Sequence, residues 1–202
     1  KNKKLIAAVV FLIGWMTGAP LAYAATSGPN NPGTLAGSTS ACSNGGGSWS
    51  NATNGQTSND SYATFGGNFF DNNEVSDALA LSNFGFSLPN GSTIDGVLVE
   101  IEGYSPDGAG TGEISLAQLT KTAGAGVGSD LETGANPMNG TDPNSYPDSY
   151  GDSTNLWGTT WTEAEVEASG FGVVLCFMAN GNNHDISVDH VRITVYYTPP
   201  SL

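Results

Sequence analysis

Two glutamates, Glu100 and Glu102, have the spacing that most directly suggests chemistry. They lie two positions apart in an alternating segment, so both carboxylates are expected on one face of a strand, about 7 Å apart. Paired carboxylates near this distance can carry out glycoside hydrolysis. Polar residues on a solvent-facing strand give the same spacing by default. We therefore predict a structural role, in which one of the two pairs with Arg192, the only base on the outer face of the last predicted strand.

The chain shows no recognisable nucleophile for hydrolysis. Asp189 and His190 are adjacent in a predicted strand, so their side chains are expected on opposite faces, where they cannot pair with each other. No serine stands in a Gly-x-Ser-x-Gly elbow. We predict no catalytic residue and a protein that is not an enzyme. A polysaccharide-active enzyme that depends on Glu100 is the third functional hypothesis.

The segment 139–152 is rich in oxygen-bearing side chains. Asp142, Asp148 and Asp152 stand in it among asparagine, serine and threonine residues. Because Ca²⁺ takes roughly six to eight oxygen ligands, the segment is predicted as a calcium site, with Asp71 and Glu74 as a second candidate. The spacing matches no EF-hand, and Asp and Asn also favour turns for local hydrogen-bonding reasons. A chain without any cofactor is the alternative.

Three aromatic residues, Tyr146, Tyr150 and Trp157, are candidates for a sugar-binding platform. The face of an aromatic ring can cover the apolar C–H surface of a sugar while polar edges stay hydrated. This predicts a carbohydrate-binding module as the second functional hypothesis. The alternative for Trp157 is packing at a corner of the fold.

These candidate residues lie on or between short predicted strands. Alternating patterns recur at 61–65, 79–88, 94–104, 113–120, 171–178 and 184–198, separated by turn residues. Thr162 followed by Glu165 has the capping-box pattern and predicts one short helix near 162–168. Residues 124–154 show no period and are predicted as a long surface loop with room for a short strand. Many strands without βαβ alternation predict an all-β fold, an antiparallel β-sandwich that is jelly-roll-like.

Residues 1–24 have the three parts of a cleavable signal peptide. A basic head precedes an apolar run at 5–16, and Ala22-Tyr23-Ala24 supplies the small-residue cleavage pattern. We predict a secreted, extracellular bacterial protein with no membrane insertion after cleavage. Residues 25–59, rich in Gly, Ser and Asn, are predicted as a flexible lead-in, and residues 60–198 as the β-sandwich domain.

The charge balance limits the partners. The chain has nineteen acidic and five basic residues, a net charge of −14. Three bases lie in the predicted signal peptide, which leaves Lys121 and Arg192. Nucleic acids and anionic membrane surfaces are excluded, because binding phosphate requires clustered lysine and arginine. The expected partner is an extracellular protein or glycan surface, and a homo-oligomer is left open.

Cys42 and Cys176 are predicted to form a disulfide bond. The more aromatic face of the strand at 171–178 should point into the core, which places Cys176 on the opposite, apolar face. That face needs a cover, and the segment that carries Cys42 is available. Paired cysteines in secreted proteins are usually oxidised. The alternative is a buried free Cys176 that packs as a small hydrophobe, with Cys42 unpaired.

Four segments together resemble a β-sandwich module of bacterial secreted proteins and phage virion or tail-associated proteins. They are DSYAT (60–64), FGFSLPNGSTIDGVLVEIE (84–102), STNLWGTTWT (153–162) and VDHVRITVYYT (188–198). The resemblance covers about residues 48–198. It implies an extracellular, non-enzymatic adhesive or surface-structural role and supplies no catalytic residue, and we take that role as the first functional hypothesis.

Overall fold

The computed structural model describes residues 24–37, 42, 48–66, 75–134, 136–181 and 184–201. Apart from Ala24, the predicted signal peptide lies outside them, as do Asp71 and Glu74. The strands are β1 (Ala25–Asn30), β2 (Thr34–Gly37), β3 (Ala63–Phe65), β4 (Leu79–Ser82), β5 (Thr93–Tyr104), β6 (Gly112–Thr122), β7 (Ala125–Val127), β8 (Asn136–Pro137), β9 (Asp148–Gly151), β10 (Gly172–Ala179) and β11 (Ile186–Thr198).

These strands form two antiparallel sheets, which confirms the predicted β-sandwich. Within the described residues, sheet A has the order β1-β11-β5-β9, with β3 also pairing with β11. Sheet B has the order β2-β4-β10-β6-β7, with β8 also pairing with β6. The long strands β5, β6, β10 and β11 lie inside the sheets, and the strands at the edges have six residues or fewer. Short edges offer little backbone for pairing with another chain.

The core lies between the sheets and follows the predicted alternation on β5 and β10. Val97, Val99 and Ile101 are fully buried on β5, and Phe171 and Phe177 bound the inner face of β10. The residues between them on β5 face away from sheet B. Apolar side chains from both inner faces form one continuous cluster, as packed sandwiches require.

The alternation on β11 is interrupted by a bulge. The register with β5 shifts between Val188 and His190, and the core residues on either side of the shift are Val188 and Val191. Asp189 and His190 are both outside the core cluster. The expectation that they occupy opposite faces is therefore wrong, because the bulge inserts one extra residue into the strand.

The predicted flexible lead-in at 25–59 is wrong where the structure describes it. β1 pairs with β11 from Ala25↔Tyr197 to Asn30↔Ile193, and β2 pairs with β4. A 3-10 turn, Ala52–Gly55, follows. The indole of Trp49 donates to the carbonyl of Asp77. The prediction relied on side-chain pattern, whereas an edge strand is held by backbone hydrogen bonds that need few apolar residues. Among the described residues, the strands of the sandwich thus start at Ala25, and not at residue 60.

The segment predicted as a long loop contains three short strands, β7, β8 and β9. The short helix after it is present as one turn, α1 (Glu163–Glu167). The Thr162 hydroxyl accepts from the Glu165 amide at 3.2 Å, and the Glu165 carboxylate accepts from the Thr162 amide at 2.9 Å. Both bonds of the capping box satisfy donors that the first turn would otherwise leave free.

The structure brings the two cysteines together as a disulfide bond. Their Cα atoms are 5.8 Å apart, within the range that a disulfide spans. Around the bond lies a second apolar cluster, formed by Ala78, Ala80 and Val174 with Val75 and Leu116 beside them. This cluster is separate from the main core. Cys42 therefore lies against the outer face of sheet B, the face on which the pattern of β10 predicted Cys176.

Candidate functional site

The outer face of sheet A carries a polar cluster whose centre is an ion pair. Arg192 and Glu100 are register partners on β11 and β5. Nε and one terminal nitrogen of Arg192 donate to the two oxygens of Glu100, both at 2.9 Å. This bond raises the pKa of Arg192. Of the two predicted partners the structure selects Glu100, and the contact shows that β5 and β11 are neighbours.

Glu102 lies two residues further along β5, and neither lysine nor arginine pairs with it in the described residues. Its register partner is His190, and both residues are buried, at 4% and 3% exposure. Within the described part of the chain, Oε2 of Glu102 and Nε2 of His190 have no hydrogen-bond partner. Burial raises the pKa of Glu102, and a hydrogen bond from Ser58 partly offsets that rise. Burial lowers the pKa of His190. Two unpartnered titratable atoms thus lie on neighbouring strands.

Residues 139–147, which we call the strap, pass over this cluster. The Tyr146 hydroxyl and Nδ1 of His190 share a hydrogen bond of 2.6 Å, and the Tyr146 ring lies 3.5 Å from the Arg192 guanidinium. Near the other end of the strap, the Tyr62 hydroxyl donates to the Asp142 carboxylate. Two side-chain anchors therefore hold the strap against sheet A.

A second group of hydrogen-bonded polar side chains, which we call the β9 network, lies beside β9 at the edge of sheet A. The side-chain amide of Asn136 donates to Asp148 at 3.1 Å and to the Tyr150 hydroxyl at 3.0 Å, and Tyr150 donates to Glu132 at 2.5 Å. Burial and the charge of Glu132 raise the pKa of Asp148 to about 6. Burial and the bond to Glu132 raise the pKa of Tyr150. Oδ2 of Asp148 is buried without a partner in the described residues.

The β9 network contains two carboxyls and a phenol, the groups that acid–base catalysis uses. A substrate cannot reach these groups. Asp148 and Tyr150 are each 7% exposed. A general acid must come within hydrogen-bond reach of the atom it protonates. We conclude that the β9 network stabilises the edge of the sandwich.

The predicted aromatic platform is wrong. Trp157 is fully buried, and its indole donates to the carbonyl of Val97 at 2.9 Å. Tyr150 is a core residue, and Tyr146 alone stays half-exposed. Trp157 has a positive φ of 58° in the segment after β9, and its indole is buried in the core. The alternative of corner packing therefore describes Trp157.

The three predicted calcium ligands are engaged separately. Asp142 accepts from Tyr62, Asp148 from Asn136, and the exposed Asp152 from the amide and hydroxyl of Thr154. The bonds to Thr154 lower the pKa of Asp152. No group of three or more His, Cys, Asp or Glu side chains among the described residues is placed to hold a metal ion. Calcium binding stays a prediction without a cluster to support it.

An open groove of about 490 Å³ lies at the end of the sandwich where α1 meets the turn at 90–93. Two carboxylates from α1 reach its wall, and both accept from backbone amides. Glu163 accepts from Gly91, and Glu167 accepts from Leu88, each at 2.5 Å. These bonds join the helix to the turn, so the carboxylates have a structural role.

The sequence pattern missed several residues of the polar cluster. Tyr62, Ser58 and the strap residue Asp142 meet β5 and β11 only through tertiary structure. The one usable signal was His190, a titratable residue in an otherwise apolar strand next to the predicted outer-face Arg192. The same reasoning gives Glu102 as its neighbour once the strands are paired.

The fold and these clusters define the class of protein, an antiparallel β-sandwich with a polar cluster on one outer face and a disulfide on the other. No family model, no curated protein and no solved structure matches this chain. In the described ranges there is no helix with the length and apolar character to cross a membrane.

Proposed function

We propose that this chain is a secreted, non-enzymatic contact module of the adhesive or surface-structural kind, and that its partner surface is positively charged. The observation that supports this is the use of the two bases after residue 24. Lys121 pairs with Glu165 at 2.8 Å, and Arg192 pairs with Glu100. Neither base is left to attract an anionic partner, whereas most acidic residues in the described part of the chain form no ion pair.

The surface of the protein therefore carries mainly negative charge. Such a surface attracts cationic groups and repels anionic ones, and the attraction weakens as salt shortens the range of the field. A partner that offers lysine or arginine side chains, or the amines of a cationic polysaccharide, complements it. Complementarity of this kind sets specificity and the rate of association more than affinity.

The architecture supports contact through faces and loops. Every edge strand is short, so strand addition is a poor route to a partner. We also propose the jelly-roll form of the sandwich. β1 pairs with β11, and among the described strands each consecutive pair lies in opposite sheets except β6–β7 and β7–β8. Such a crossing order is what a jelly roll of two Greek keys requires.

The test is binding of the secreted chain to coated surfaces, followed by biolayer interferometry. We expect retention on poly-lysine, none on poly-glutamate, and a steep loss between about 50 and 500 mM salt. The matched variant Lys121→Gln removes one paired base and should strengthen retention. Equal binding to both polymers would contradict the proposal. Release of reducing sugar from a polysaccharide, lost in Glu100→Gln, would instead support the enzyme hypothesis.

A further inference from the structure

We propose that the strap at residues 139–147 is a proton-controlled latch: it is fastened to sheet A while the Glu102 carboxyl holds a proton, and it loosens when Glu102 gives that proton up. The inference concerns the conformation of the strap and does not depend on the proposed function.

Oε2 of Glu102 and Nε2 of His190 are each buried without a hydrogen-bond partner in the described residues. An ionised carboxylate oxygen can only accept hydrogen bonds, and a neutral imidazole has one nitrogen that accepts and one that donates. A proton on Oε2 of Glu102 removes the charge from an oxygen that has no donor among the described residues. Without it, the closed strap keeps a buried carboxylate that has the Ser58 hydrogen bond but no base beside it, and such a charge is costly.

Several negatively charged side chains surround Glu102. Glu102 faces Asp189 on β11, Asp142 on the strap and Asp60 in the segment before β3, and each of these raises its pKa. Arg192 and Asp189 act on His190 in opposite directions. Arg192 is itself bound to Glu100 and stacked on Tyr146, so it gives Glu102 no direct partner. Three negative neighbours therefore favour the protonated form of Glu102 while the strap is closed.

Tyr146 connects the strap to the strands that carry Glu102 and His190. Tyr146 is bonded to His190, which is the register partner of Glu102, and the Tyr146 ring covers Arg192. Opening the strap removes Tyr146 and lets water reach Glu102, which returns its pKa toward the ordinary value of 4.5. Linkage then requires that deprotonation favours opening. The Tyr62 anchor keeps its hydroxyl proton, because Asp142 and burial raise the pKa of Tyr62.

The experiment follows Tyr146 in the full secreted chain with ¹³C-labelled tyrosine, by NMR between pH 5 and pH 8.5. At pH 5 we expect nuclear Overhauser contacts from the Tyr146 ring to the Arg192 and His190 side chains. These contacts should fade as pH rises. The closed-to-open ratio should fall about tenfold for each pH unit between the closed-state and open-state pKa of Glu102.

Two variants make the test specific. Glu102→Gln removes the titrating group, so the contacts should persist to pH 8.5. The control is Glu113→Gln, which changes an equally buried glutamate on β6 that accepts from Asn180 at 2.8 Å, and it should keep the wild-type titration. Contacts that do not change with pH in the wild type would overturn the latch, and this measurement needs no variant to fold. An unchanged titration in Glu102→Gln would also overturn it.

Discussion

The substitution Asp148→Asn should stabilise the protein at neutral pH and leave it almost unchanged in acid. Asp148 lies on β9 with one oxygen bonded to Asn136 and the other buried without a partner in the described residues. An asparagine has the shape of the protonated acid and carries no charge. Its carbonyl oxygen can keep the bond to Asn136.

The magnitude follows from linkage. The pKa of Asp148 rises from 3.8 to about 6 in the folded protein, because burial disfavours the charge and Glu132 repels it. Below pH 3.8 the group is protonated in both states and has no effect. As pH rises through about 6, the folded state must hold a buried charge, so the free energy of unfolding falls. The ceiling is about 3 kcal/mol, and solvent screening at the sheet edge reduces it to about 2 kcal/mol.

The assay is urea unfolding at pH 4, 5, 6, 7 and 8, with the midpoint and slope fitted at each pH. Asp148→Asn should gain about 2 kcal/mol over the wild type at pH 8 and little at pH 4. The control Asp152→Asn removes the same charge four residues further along at an exposed position, and it should give no such gain. Parallel pH profiles for wild type and Asp148→Asn would refute the reasoning.

Three further predictions concern stability. Replacing Cys42 and Cys176 by serine should lower the free energy of unfolding by up to about 4 to 5 kcal/mol in urea, since the bond closes a loop with a sequence separation of 134; an unchanged midpoint would contradict this. Arg192→Ala should cost about 1 to 3 kcal/mol, because Glu100 loses a two-bond partner, and a double-mutant cycle with Glu100→Gln should show the coupling. Thr162→Ala should cost about 1 kcal/mol in thermal unfolding by removing the cap of α1, whereas Thr162→Ser should retain it.

Local periodicity was sufficient to predict the sandwich, because the long central strands have clear inner and outer faces. Val97, Val99 and Ile101 alternate with polar or exposed positions, and all three are fully buried. The same logic gave the position of Cys176 on the outer face of β10 and hence its cover. In these strands burial of one face determines the pattern, so the pattern can be read back.

Side-chain periodicity could not predict the strands of the lead-in or the burial of the residues in the predicted aromatic platform. β1 is held by backbone pairing with β11, and no side-chain pattern marks it. Trp157 is buried at a position with positive φ and donates to Val97, which composition does not reveal. The bulge at Asp189 likewise depends on the register between two strands. Where a single backbone torsion or a one-residue shift decides which way a side chain points, sequence periodicity gives the wrong face.

The small number of bases explains why the candidate sites contain buried carboxyls with raised pKa values. A chain with two bases after residue 24 cannot compensate each buried carboxylate with a positive charge. The structure uses neutral donors for several of them: an amide bonds Asp148, Asp189 and Glu113. Neutral donors satisfy hydrogen bonds but leave the charge in place. Glu102 and Asp148 carry the remaining cost as raised pKa values. Because a carboxyl whose folded pKa is raised is least costly when protonated, both sites move the stability maximum of this fold toward acid pH.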